Sequence, residues 1–84
     1  MLPISPKEIY RLSSILVDVL AEYKTGTDDY ALGYRLGSTE AFKDSIAQNK
    51  TPAPKIYTDS TLTARGYVFG WIDFKNAANL IECD

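Results

Sequence analysis

Asp73 is the acid whose position asks most for an explanation. Counting about 100° per residue along a helix, it falls on one arc with Gly66, Gly70 and Ala77. A carboxylate on such a face needs a hydrogen-bond or charge partner. Tyr34 or Arg35, on a helix with the same glycine spacing, supplies one. The expected role of Asp73 is therefore a polar lock between two helices, or a half-exposed surface residue. No second acid has an argued position beside it, so paired-carboxylate chemistry has no support. The chain has no histidine and one cysteine. That excludes Ser-His-Asp and Cys-His nucleophile systems and Cys/His zinc sites within the chain. The glycines fall inside helical patterns rather than after strands, so no phosphate loop or dinucleotide fingerprint is present. The expectation is a non-enzyme with no cofactor, no metal and no small-molecule substrate.

Aromatic residues carry the other signal. They make up 12% of 84 residues and include six tyrosines. Tyrosine and tryptophan combine large area with a polar tip, which suits both a small core and a binding surface. Tyr34, Tyr67 and Trp71, with Val68 and Ile72, are the expected partner-binding residues. Arg35, Lys43, Lys50, Lys55, Arg65 and Lys75 would suit single-stranded nucleic acid if gathered beside aromatic rings. No three basic residues are consecutive and the net charge is −2, so they read as scattered, solvated charges.

Three helices are needed to position these groups. Ser5 as N-cap, Pro6 at N1 and Glu8 at N3 form a capping-box start, with Ile4 and Ile9 as the hydrophobic staple. Leu12, Ile15, Leu16, Val19, Leu20 and Tyr23 then share one arc, which predicts a helix over about residues 6–24, stopped at Gly26. Thr27 caps a second helix, with Asp28 and Asp29 in its first turn. It runs to about Asn49, before Pro52 and Pro54. Its glycine and tyrosine face (Tyr30, Gly33, Tyr34, Gly37, Ala41) differs from its apolar face (Leu32, Leu36, Phe42, Ile46). Residues 50–58 form a proline-broken, extended linker pinned to the core by Ile56 and Tyr57. A third helix starts at a cap on Asp59 or Ser60 and runs to about Leu80. The expected architecture is a single all-α domain in which helices 2 and 3 cross closely through their glycine faces and helix 1 covers the aliphatic side.

The later helices share a repeat, with Ala31-x-Gly33-Tyr34-x-x-Gly37 matching Ala64-x-Gly66-Tyr67-x-x-Gly70 at an offset of 33 residues. Each interior glycine costs about 1 kcal/mol against alanine, and close backbone approach is the offsetting gain. Gly33, Gly37, Gly66 and Gly70 are thus the expected helix-crossing residues, with Asp73 beside them. This pair of motifs, joined by a linker holding prolines and Tyr57 and followed by Trp71, resembles the ribosome modulation factor group over about residues 28–78. The resemblance implies a shared helix-pair scaffold and, for function, RNA or ribosome association. The chain departs from the group in its long first helix, its longer linker and its acidic balance.

Domains of this size bury a modest fraction of their surface and are often completed by association. Helix 3 is apolar on nearly all sides, so a sector including Val68, Ile72 or Trp71 is expected to lack an intramolecular cover. A twofold homodimer through helix 3 follows as an expectation. The start of the chain has no basic and apolar leader pattern, no stretch is long enough to span a bilayer, and Cys83 has no partner. A cytoplasmic protein with a reduced thiol is expected. The functional expectation is a small protein-binding regulator or inhibitor, analogous in size to phage-encoded proteins such as the anti-CRISPR proteins.

Overall fold

The computed structural model describes residues 3–23 and 28–80. The stop at Lys24 and Gly26 and the thiol of Cys83 lie outside them, and the cap expected of Thr27 is supplied instead by Asp28. The described residues form α1 (Pro6–Leu20), a 3₁₀ turn (Ala21–Tyr23), α2 (Asp29–Ile46) and α3 (Leu62–Ala77), with no strand among them. None of these helices is long and apolar enough to cross a membrane.

Each start has a side-chain cap. Ser5 Oγ accepts from the Glu8 amide at 3.1 Å, Asp28 from the Ala31 amide at 2.9 Å, and Thr61 from the Ala64 amide at 3.1 Å. Thr61 replaces the expected Asp59 or Ser60 because Ser60 is already used: its hydroxyl accepts from the Tyr57 amide in the preceding turn. Glu8 does not close a reciprocal box, since its carboxylate is forked to Arg11. Arg11 also donates to the Ala78 carbonyl, tying α1 to the end of α3. Both later helices stop earlier than their patterns predict. Gln48 and Asn79 take left-handed backbone at φ 60° and 58°. The amides of Asn49 and Leu80 then fold back on the carbonyls of Asp44 and Lys75.

α2 and α3 form the most extensive helix pair, as expected. Four of the five glycines lie in it. A Cβ added at Gly33 would collide with the Thr63 carbonyl, and one at Gly37 with the Tyr67 carbonyl. The contact rises in step along both helices, so α2 and α3 run in the same direction. The connection over residues 47–61 must therefore return along a helix of 18 residues, about 27 Å at 1.5 Å per residue. Residues 49–57 have neither helix nor strand. They are not pinned through Ile56 and Tyr57, which are 45% and 63% exposed.

The core lies at the C-terminal end of the pair, where Leu12 of α1 meets Ala41, Trp71, Phe74 and Ala78. Ile4, Ile15, Leu16, Phe42 and Ile46 pack around them. α1 thus covers the second half of the aliphatic side of α2. Leu32 and Leu36, on its first half, stay about half exposed.

Candidate functional site

The four glycine contacts obey an approximate twofold relation. Gly33 meets Thr63 and Gly66 meets Tyr30; Gly37 meets Tyr67 and Gly70 meets Tyr34. Moving both partners by the repeat offset, one forward and one back, turns each contact into its counterpart. Each of these four glycines presents its Cα to a carbonyl oxygen of the facing helix, the arrangement in which weak Cα–H···O contacts form. No described glycine has positive φ, so their role is close approach rather than unusual backbone. The relation breaks beside the axis. Ser38 stands where Trp71 stands in the other repeat, and Ala41 where Phe74 stands. Ser38 Oγ donates to the Gly70 carbonyl at 3.1 Å, and Ala41 and Phe74 share the core. A small residue on one helix faces a large one on the other, so α2 fits α3 better than either fits a copy of itself.

The crossing fixes the tyrosines at its two edges. Tyr34 is 5% exposed, and its hydroxyl donates to Asp73 Oδ2 at 2.5 Å. Burial, and then this bond to a carboxylate, hold the Tyr34 phenol above its ordinary pKa. At the opposite edge Tyr67 is raised by burial first and then by the Glu40 carboxylate, which is 33 residues before Asp73. Asp73 itself is exposed rather than enclosed. Arg35, the other candidate partner, donates instead to the Tyr23 carbonyl at 2.5 Å.

Around Tyr34 the rings gather. Tyr23 lies 4.3 Å from it and Tyr30 6.3 Å, centroid to centroid. Phe69 lies 6.4 Å from Tyr30 and is 41% exposed. Burial first, then Tyr23 and Asp73, raise the Tyr30 pKa, and the Glu22 charge adds the smallest of the effects that raise that of Tyr34. The cluster thus has a buried tyrosine as floor, partly exposed rings around it and two exposed acids at its rim.

The other end of the pair holds a groove of about 690 Å3, lined by Ile4, Leu12, Ser45, Pro52, Trp71 and Lys75 among others. Its deepest polar groups are already used. Lys75 Nζ pairs with Asp44 at 2.9 Å, both side chains under 10% exposed, and lies 5.6 Å from the Trp71 ring centroid. Burial raises the Asp44 pKa, but hydrogen bonds from Thr51 and Lys75 outweigh it, and the net shift is down. Ser45 Oγ donates to the Ala41 carbonyl. No group of three or more potential metal ligands occurs among the described residues.

Of the expected partner-binding residues, Tyr34, Val68 and Trp71 are buried within the chain, at 5%, 5% and 6%. Tyr67 and Ile72 are half-buried. The uncovered sector is thus not the expected one on helix 3. Trp71 is covered by α1, which lies across the C-terminal end of the pair. The exposed large apolar residues of α2 and α3 are Leu32, Leu36, Leu62 and Phe69. The Tyr23, Tyr30 and Phe69 cluster and the role of Glu40 were missed. For Glu40 a signal existed, since extending the repeat three residues past Gly37 and Gly70 reaches Glu40 and Asp73. No family model, curated protein or solved structure matches the chain.

Proposed function

We propose that the chain is a non-enzymatic, cytoplasmic protein-binding module acting as a small regulator or inhibitor. The observation that carries this reading is the exposure of Leu32 and Leu36, at 48% and 52%, on the outer side of α2. They are one turn apart on a helix whose glycine side, about 100° round the axis, is held against α3 by backbone contact. Adjacent exposed leucines on a rigid helix are what an apolar partner surface needs. The chemistry-bearing polar groups support the reading. Tyr34 is committed to Asp73, and Lys75 to Asp44.

The test is a photo-crosslinking residue placed at Leu36 in the native cell, with the same residue at Val17 of α1 as control. The reading expects a discrete protein adduct from Leu36, retained at high salt and lost on Leu32→Asp. Adducts only to a second copy of the chain would make this face a homodimer interface. Adducts to RNA, weakening steeply with salt, would favour the ribosome-associated alternative. No protein adduct from Leu36, or equal adducts from both positions, would overturn the reading.

A further inference from the structure

The ring cluster at the Tyr34 edge is built differently from the leucine face. Its parts are π faces and carboxylates. Tyr23 and Tyr30 are half-buried and Phe69 is 41% exposed, so ring surface is open to solvent. Their floor is Tyr34, whose hydroxyl donates to Asp73 and whose backbone carbonyl faces Gly70. Phe69 and Asp73 are one turn apart on α3 and project from the same side. Among the described residues no lysine or arginine forms an ion pair with Asp73 or Glu22, while Glu8, Glu40 and Asp44 each have one. The chain's own Arg35 is committed to the Tyr23 carbonyl.

Exposed ring surface beside carboxylates that have no ion pair among the described residues attracts a cation by two routes, the ring quadrupole and direct charge. A guanidinium uses both at once: its plane stacks on a ring while its fork meets a carboxylate. Phosphate is repelled by the same acids. We propose that the cluster of Tyr23, Tyr30 and Phe69, floored by Tyr34 and rimmed by Asp73 and Glu22, is a docking surface for an arginine side chain of a partner protein. This rests on the reading of the chain as a protein-binding module and names the chemistry of what it holds.

The probe is a capped hexa-arginine peptide titrated into the intact chain at low salt, followed by amide NMR shifts. The largest shifts are expected at Tyr23, Tyr30, Phe69 and Asp73. Phe69→Ala should weaken binding by about threefold or more, and capped hexa-lysine should bind more weakly than hexa-arginine. Asp73→Asn also touches the Tyr34 bond, so Glu22→Gln is the cleaner charge test. It should weaken binding, while Glu40→Gln, the same charge change at the opposite edge, should not. Shifts centred elsewhere, no effect of Phe69→Ala, or equal effects of Glu22→Gln and Glu40→Gln would overturn the proposal. The Leu36 crosslink reports separately. A protein adduct there with no peptide binding here removes the arginine surface alone, and the reverse result removes the module reading.

Discussion

Tyr34 and Asp73 are 39 residues apart in the chain and are joined by a 2.5 Å hydrogen bond at the edge of the helix crossing. The acceptor is exposed and the donor is not. Removing the two ends should therefore cost different amounts. Asp73→Ala leaves a buried hydroxyl without its partner and should cost about 1–3 kcal/mol, whereas Tyr34→Phe removes the hydroxyl itself and should cost about 1 kcal/mol. Urea unfolding of both single variants and the double variant measures the coupling. Additive losses would show that the bond contributes nothing.

The same tyrosine makes stability sensitive to alkali. Its folded-state pKa is raised, by burial first and by Asp73 second. The associated stability is complete below the unfolded value of about 10 and is lost as pH rises above it. Tyr30 and Tyr67 are shifted in the same direction. The melting temperature should thus fall from about pH 10 upward, less steeply in Tyr34→Phe. A flat profile for the unsubstituted chain would contradict the burial of these phenols.

At the acid end the group that matters is Asp44, whose pKa is held down by Thr51 and Lys75 against the effect of burial. Its contribution is present above the ordinary carboxylate value and is lost as pH falls through the lowered one. Lys75→Met leaves Asp44 buried without its cation and should cost about 3–5 kcal/mol near neutrality. That cost should shrink as pH falls and Asp44 takes up a proton. Thermal unfolding at several pH values checks both the size and the sign.

The glycines offer a comparison internal to the fold. The nearest atoms facing Gly37 and Gly70 are the backbone carbonyl oxygens of Tyr67 and Tyr34, which cannot swing aside as a side chain can. Alanine at either position should therefore destabilise by about 1–3 kcal/mol and leucine by more, although both are better helix formers than glycine. Gains in stability from Gly37→Ala or Gly70→Ala, read from denaturant midpoints, would show that the backbones do not touch.

Much of this crossing is legible in the sequence. The glycine spacing, the repeat offset and Tyr34 as one of two candidate partners for Asp73, Arg35 being the other, follow from helix geometry. The uncovered surface is not. A helical wheel shows which residues share an arc, but not where a neighbour lies along the helix. α1 covers Phe42 and Ile46 and leaves Leu32 and Leu36 bare, though all four belong to one apolar face of α2. The early helix ends were also hidden, because Gln48 and Asn79 do in left-handed backbone what glycine usually does.

Everything at the two edges depends on α2 and α3 running in the same direction in this register. Nuclear Overhauser contacts from the glycine α protons measure it directly. Gly33 should show contacts to Thr63, Gly37 to Tyr67, Gly66 to Tyr30 and Gly70 to Tyr34. Contacts that instead run in opposite senses, with Gly33 near Gly70 and Gly37 near Gly66, would contradict the crossing and with it the site it builds.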